Sequence, residues 1–167
     1  MHKHIGRRGR AHLGNFLGKG VCIYMIGVAH LGQIHILIPE DAKERQVVEL
    51  LNPITENLSI MRTLMAPSMV KVIENNIKVG NEAVRFFEIA NVYLPKALPL
   101  VEPPVEKKTI CLGTCGAEED FFAMKGTLEA FAFANDLTFT YKRGNVPYLH
   151  PGRTAEVYCN GEKIGHF

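Results

Sequence analysis

Apolar residues recur at helical spacing in two segments of this chain. The first segment follows Pro67, a residue type favoured in the first turn of a helix, and stops at Gly80, which favours a helix end. The second segment follows Asp120, whose side chain is suited to cap a helix N-terminus. The apolar positions of the two core faces are Met69, Val70, Val72, Ile73 and Ile77, and then Phe121, Met124, Leu128 and Phe131. The pattern predicts two amphipathic helices.

Runs of β-branched and aromatic residues predict strands around these helices. The longest run, Val84–Leu94, ends at Pro95 and is rich enough in Val, Phe, Ile and Tyr to predict a strand buried on both faces. Asn160-Gly161 lies between two alternating runs, which is typical of a two-residue hairpin turn. Further strands are predicted at residues 21–26, 47–51, 108–113 and 137–141. Because hairpins dominate, we expect an α+β fold with an antiparallel sheet flanked by helices.

Composition and charge divide the chain into two parts. With 47% hydrophobic and 22% charged residues, the 167-residue chain is typical of one folded domain and not of a disordered protein. The first 39 residues carry five Lys/Arg, five of the seven histidines and no acid, whereas the rest carries 14 bases against 17 acids. We therefore interpret residues 1–37 as a poorly specified basic lead rich in Gly and His. That lead is either a solvated tail or a surface for phosphates.

The apolar and cysteine residues bear on where the protein is found. The apolar run at residues 21–29 is far shorter than the ~20 residues that a membrane span needs. The four cysteines are scattered, and two of them, Cys111 and Cys115, share a strand face as predicted buried thiols. Free thiols without a disulfide pattern favour a reducing cytoplasm. We expect no membrane association and a cytoplasmic location.

Few residues form a recognisable site. Glu118, Glu119 and Asp120 form a carboxylate cluster that could hold a divalent ion, but acids are also favoured at a helix start. His150 and Arg153, in the segment LHPGR, could be presented together on a loop. The alternative is a Pro-Gly turn whose arginine caps carbonyl groups. The glycine-rich segment 14–20 does not have the spacing of a phosphate-binding loop.

Four segments resemble, in order and in spacing, successive motifs of the beta subunit of bacterial phenylalanyl-tRNA synthetase. They are LLNPITENLSIMRTLMAPSMVKVIENNI, VRFFEIANVYLP, DFFAMKGTLEAF and LHPGRTAEVYCNGEKIG. Together they lie within residues 38–167. The resemblance implies a module built like the catalytic domain of a class II aminoacyl-tRNA synthetase, here cut short at its C-terminus. It also implies that the active site belongs to a partner alpha subunit, while the beta subunit supplies scaffold and tRNA contacts in a heterotetramer.

The residues present can be tested against the implied loss of catalysis. Class II enzymes place an arginine at the end of a strand to neutralise the ATP phosphates, and Val84–Leu94 resembles that strand. It ends without an arginine, and Lys96 behind Pro95 is a poor substitute for a planar guanidinium. Arg85 and Glu88 are similar to the Arg-x-Glu of active enzymes, but two residues separate them here. We therefore expect no catalytic, cofactor-binding or metal-binding residue in this chain.

The remaining candidates are interface residues or structural anchors. They are Arg62, Arg85, Glu88, Lys125, His150 and Arg153. For Arg62, we expect hydrogen bonds to carbonyl groups or to a carboxylate that hold the loop of residues 52–63, and no bound anion.

The predicted function is a non-catalytic structural module of phenylalanine–tRNA ligase that docks the alpha subunit and supports aminoacylation of tRNA. ATP and magnesium would be used by the full enzyme and not bound by this fragment, which is expected to be inactive alone. The alternative is a free-standing RNA-binding module that uses the basic N-terminal segment. A third hypothesis, an active small-molecule ligase, would require ATP consumption.

Overall fold

The computed structural model describes residues 28–29, 38–53, 55 and 58–167. The strand predicted at residues 21–26 and most of the basic lead lie outside the described residues. In chain order, the elements are β1 (Val28–Ala29), a 3-10 turn (Lys43–Arg45), β2 (Val48–Glu49), β3 (Ile60–Met61), α1 (Ala66–Lys78), β4 (Val84–Leu94), β5 (Val105–Cys115), α2 (Phe121–Ala134), β6 (Phe139–Arg143), β7 (Ala155–Cys159) and β8 (Glu162–His166).

The predicted α+β class with antiparallel pairing is confirmed, but the described strands form three small sheets instead of one. Their orders are β1-β3-β2, β4-β5 and β6-β7-β8, and every pairing is antiparallel. Strands β1 to β3 have two residues each, too short to extend a neighbouring sheet. Among the described strands, β4 and β5 pair only with each other and form a long ribbon, over their full length from Val84↔Cys115 to Leu94↔Val105. This ribbon is longer than the strand predicted at residues 108–113.

Helix α1 forms where predicted, but its buried line is offset from the predicted one. The buried positions are Pro67, Met69, Val72 and Asn76, whereas Val70 and Ile77 are about half exposed. Asn76 can be buried because both ends of its amide are bonded: Nδ2 donates to the carbonyl of Val72 at 2.9 Å, and Oδ1 accepts from the Asn81 side chain at 2.9 Å. Asn76 therefore occupies the buried position that the pattern of apolar residues assigned to Ile77.

The position of α1 is set by a glycine on the ribbon. A Cβ at Gly113 would lie 2.5 Å from Met69 Cγ and 2.7 Å from Met69 Sδ. Because glycine lacks that atom, Met69 packs directly on β5 and brings the buried line of the helix against the ribbon. The face of the ribbon that carries Gly113 is thereby covered by α1.

The opposite face of the ribbon is open, so the expectation that β4 is buried on both faces was wrong. Phe87 is 68% exposed, Ile89 is 58% exposed, and Ile110, directly across from Ile89, is also exposed. Successive side chains of a strand point to opposite faces, and among the described helices α1 packs on one of them. Both faces of β4 carry large apolar residues, so the sequence of the strand alone does not show which face is covered.

Helix α2 and the C-terminal sheet follow the predicted local signals. Asp120 Oδ1 accepts a hydrogen bond from the Ala123 amide at 2.8 Å, which confirms the predicted cap. Asn160 and Gly161 have φ angles of 52° and 82° between β7 and β8, as a tight hairpin turn requires. Of the predicted core face of α2, Phe121 stacks on Phe167 at 4.9 Å between ring centroids, whereas Phe131 is exposed. Strand β6 begins two residues later than predicted.

The buried core of the described residues is small. Ile38 and Ile60 are its most enclosed pair, and Tyr148 packs against them from the loop before β7. Two polar residues that follow Ile60 in the sequence, Arg62 and Thr63, are also buried. No helix among the described residues is long and apolar enough to cross a membrane.

Candidate functional site

Arg62 is the most deeply buried charged residue in the described part of the chain, with 1% of its surface exposed. Its Nε donates to the carbonyl of Asn91 at 3.1 Å, and its Nη2 lies 2.9 Å from Glu88 Oε1. The carbonyl of Arg62 in turn accepts from the amide of Tyr93 at 2.9 Å. The carbonyl and carboxylate contacts expected for Arg62 are both present. They tie the segment between β3 and α1 to the end of β4.

The Arg62–Glu88 pair is not fully satisfied. Arg62 Nη1 and both carboxylate oxygens of Glu88 are buried without a hydrogen bond among the described residues, so the 2.9 Å contact is an ion pair without hydrogen-bond alignment. Two charges removed from water are stabilised mainly by each other in such a setting. Substitution of either residue is therefore expected to destabilise the fold, because it leaves the other charge buried without a partner.

Cys111 lies directly across the ribbon from Glu88 and shares its environment. Burial raises the pKa of the Cys111 thiol to about 11, and the Glu88 carboxylate adds to the rise while Arg62 opposes it. The thiol is therefore protonated at neutral pH and is a poor nucleophile. Cys111 and Cys115 are both only partly buried, which corrects the prediction of two buried thiols.

Arg85 and Glu88 do not act together. Their spacing places them on opposite faces of β4, and Arg85 Nε instead pairs with Glu119 Oε1 at 2.6 Å. Glu119 belongs to the predicted carboxylate cluster, and a second member, Asp120, caps α2. Two of the three acids thus have other roles. No group of three or more His, Cys, Asp or Glu side chains in the described ranges is arranged to hold a metal ion.

The LHPGR segment forms a compact turn. The carbonyl of His150 accepts from the Arg153 amide at 2.9 Å and from the Thr154 hydroxyl at 2.7 Å, and His150 Nδ1 accepts from the Gly152 amide at 3.1 Å. The turn interpretation is thereby correct for the backbone. The guanidinium of Arg153, however, caps no carbonyl within the described residues and instead lines an open concavity.

Lys125 lies on the first turns of α2 and lines the same concavity as Arg153. Its ammonium pairs with Glu129 and lies 5.0 Å from the centre of the Tyr141 ring. The hydrogen bond to Glu129 raises the pKa of Lys125. Of the six candidate residues, the structure therefore brings together Arg62 with Glu88, and Lys125 with Arg153.

Comparison with known proteins identifies the family. The model for the phenylalanyl tRNA synthetase beta chain CLM domain matches residues 25–167. This chain belongs to that family. The phenylalanine–tRNA ligase beta subunit of Clostridium tetani is 38% identical to it over 132 residues, which are 78% of this chain and 16% of the relative. That of Geobacter metallireducens is 32% identical over 145 residues, which are 79% of this chain and 18% of the relative.

Membership of the phenylalanyl-tRNA synthetase beta family confirms the resemblance carried by the four motifs. The chain spans only 16–18% of the length of these relatives. The family match begins at residue 25, before the module start predicted at residue 38.

Sequence reasoning missed two groups of surface residues in this beta-family chain. Phe87 and Ile89 were assigned to the interior, and no local signal marks them as exposed. Lys142 and Arg143 were not singled out, although two adjacent bases at the end of a strand are a visible charge signal. Phe87 and Ile89 lie on the open face of the ribbon, and Arg143 lines the same concavity as Arg153.

Proposed function

We propose that this chain is a non-catalytic structural module of phenylalanine–tRNA ligase that docks the catalytic alpha subunit. The observation that carries the proposal is the open apolar face of the β4-β5 ribbon. Phe87, Ile89 and Ile110 form a continuous exposed cluster there, on a strand pair whose other face is packed against α1. Exposed apolar patches of this kind are typical of protein interfaces. Family membership supports the choice of the alpha subunit as the partner.

Two arginines lie in or near the strand that resembles an ATP-binding strand, and both form ion pairs with carboxylates. These pairs support the lack of catalysis. Arg62 is paired with Glu88 and enclosed, and Arg85 is paired with Glu119. Strand β4 ends at Leu94 with no arginine. A transition state that gathers negative charge on a phosphate needs cations aimed at it, and these guanidinium groups are aimed at carboxylates.

The wider role follows from the same assignment. The alpha subunit would bind ATP and magnesium and perform the chemistry in the cytoplasm, while this module would hold alpha within the heterotetramer and contact tRNA through the whole complex. The fold of the module would be that of a class II synthetase catalytic domain. The chain alone would neither activate phenylalanine nor aminoacylate tRNA.

Co-purification with a tagged alpha subunit tests the docking role. We expect the wild-type chain to be retained, and the double variant Phe87→Ser and Ile89→Ser to be lost, because these substitutions remove the apolar surface without altering the covered face of the ribbon. Phe133→Ser is the matched control, since Phe133 is 86% exposed on α2 and lies outside the ribbon. Failure of alpha to retain the wild-type chain would overturn the proposal, and so would equal losses in both variants.

The alternative function, a free-standing RNA-binding module, is favoured by the concentration of bases in the first 39 residues. Deletion of residues 1–37 separates the two functions. On the docking proposal, the deletion leaves retention by alpha unchanged. On the alternative, it abolishes RNA binding, and no alpha subunit is needed for that binding.

A further inference from the structure

An open concavity of about 850 Å³ lies between the start of α2, the end of β6 and the turn before β7. Among the described residues, four bases from these three places contribute to its lining: Lys125, Lys142, Arg143 and Arg153. Asp120 is the one acid among the described lining residues, and its carboxylate is occupied as the cap of α2. We refer to this surface as the basic concavity. Its lining therefore has a clear excess of positive charge.

The four bases are not neutralised to the same extent. Lys125 pairs with Glu129, and the Lys142 ammonium lies 4.5 Å from the centre of the Tyr158 ring, on the face of β6 opposite to Tyr141. Arg143 and Arg153 have no ion pair and no side-chain hydrogen bond within the described residues. Two unpaired like charges that line one concavity repel each other, so Arg143 and Arg153 favour a bound anion. A guanidinium binds phosphate oxygens in a bidentate manner, which makes a phosphate group a fitting ligand for this arginine pair.

An aromatic side chain lies in the same lining. Phe122 is 74% exposed, while its neighbour Phe121 is held by stacking on Phe167. A free aromatic face next to phosphate-binding cations is the arrangement with which proteins hold single-stranded nucleic acid, since unpaired bases stack on the ring. An acidic peptide would match the cations but would not use Phe122.

We propose that the basic concavity binds single-stranded RNA, with Arg143 and Arg153 on the phosphates and Phe122 against a base. The inference rests on the proposed function, because it gives this module an RNA contact of its own within the complex. The contact lies on the body of the domain, in residues 121–155, and does not involve the basic N-terminal segment.

Salt-dependent binding of a fluorescent oligouridine of about 12 nucleotides tests this proposal. In the full chain, Arg143→Ala with Arg153→Ala should weaken binding at least about tenfold. It should also reduce the slope of log affinity against log salt by about 1.4, because each lost phosphate contact on a single strand contributes roughly 0.7. Lys107→Ala with Lys108→Ala on β5 removes the same charge from another exposed surface and should leave that slope unchanged. Equal effects of the two double variants would overturn the proposal.

The chemical class of the ligand is tested by three further probes. Phe122→Ala should weaken binding of the oligouridine but not of an RNA duplex of equal length, because bases in a duplex are already stacked. Inorganic polyphosphate and polyglutamate of matched charge should each compete less well than the oligouridine. Equal competition by polyglutamate would overturn selectivity for RNA. Equal competition by polyphosphate would overturn the role of the base.

The two proposals can fail separately. The Arg143 and Arg153 double variant can lose RNA binding while alpha still retains the variant. That result supports both RNA binding by the basic concavity and docking of alpha. RNA binding that is intact in this double variant overturns the basic concavity and leaves docking standing. RNA binding by a chain that alpha does not retain would overturn docking instead.

Discussion

The guanidinium of Arg62 lies 2.9 Å from the carboxylate of Glu88, at a position almost completely removed from solvent. Arg62 belongs to the segment that leads into α1, and Glu88 lies in the middle of β4. The ion pair, the hydrogen bond from Arg62 Nε to Asn91 and the one from the Tyr93 amide to the Arg62 carbonyl join these segments at three points. This connection positions α1 on one face of the ribbon and leaves the other face open.

Removal of one member of this pair should be costly. We expect Arg62→Ala to lower the free energy of unfolding by about 3–5 kcal/mol, because it leaves Glu88 buried without a counter-charge. The double variant Arg62→Met with Glu88→Leu should recover most of that loss. Urea denaturation measures both. Lys71→Ala, which breaks an exposed pair with Glu74, is the control and should cost about 0–1 kcal/mol. A loss for Arg62→Ala no larger than the control would contradict the anchoring role.

Gly113 should not tolerate a side chain. We expect Gly113→Ala to lower the free energy of unfolding by about 1–3 kcal/mol, since the new Cβ would overlap Met69 in a packed region. A second substitution, Met69→Ala, should reduce the penalty of the first when the two are combined. Gly126→Ala, where no atom lies within 4 Å of the added group, should instead stabilise α2 by about 0.5–1 kcal/mol. Thermal unfolding shows whether each substitution stabilises or destabilises the chain. An unchanged stability in Gly113→Ala would contradict the close approach of α1 to β5.

His166 should make stability depend on pH. Its Nε2 lies 2.6 Å from the hydroxyl of Tyr148, and burial lowers the pKa of His166 below its ordinary value of 6.5. A group whose pKa is lower in the folded state stabilises the fold above its unfolded pKa, and this contribution declines as the pH falls below about 6.5. We expect the urea midpoint of the wild-type chain to fall between about pH 7.5 and pH 5 by more than that of His166→Gln. Parallel curves for the two proteins would show that His166 makes no such contribution.

The Cys111 thiol should react slowly in the folded chain. Its pKa of about 11 leaves almost no thiolate at neutral pH, because burial and the Glu88 carboxylate both disfavour the charge. We expect iodoacetamide to label Cys111 much more slowly in the native chain than in urea, where the pKa returns to the ordinary value of an exposed thiol. Peptide mass spectrometry after timed quenching measures the two rates. Comparable rates would mean that Cys111 is accessible and ionised in the fold.

Local signals allowed part of this structure to be predicted from sequence. The cap at Asp120 and the turn at Asn160-Gly161 depend on residues within a few positions of each other, and both form as expected. The kind of contact made by Arg62 was also predictable, because an arginine among apolar residues needs acceptors when it is buried. Its partner Glu88 was not, since that choice depends on how β4 docks beside α1.

The features that could not be predicted from the sequence all depend on contacts between residues that are far apart in the chain. The offset of the buried line of α1 results from Asn76, which is satisfied by Asn81, and from the space at Gly113. The open face of β4 carries large apolar residues, Phe87 and Ile89, as the covered face also does, so their apolar character alone does not show which face is covered. The basic concavity is assembled from α2, β6 and a turn, and no single segment contains its pattern.

Hydroxyl-radical footprinting with the purified alpha subunit tests the docking claim most directly, because it reports the exposure of individual side chains. Phe87, Ile89 and Phe133 are all exposed in the chain alone. Phe87 and Ile89 therefore serve as probes, and Phe133 serves as the control in the same experiment. We expect alpha to suppress oxidation of Phe87 and Ile89 and to leave Phe133 unchanged. Unchanged oxidation of Phe87 and Ile89 at saturating alpha would contradict the assignment of this face as the docking surface.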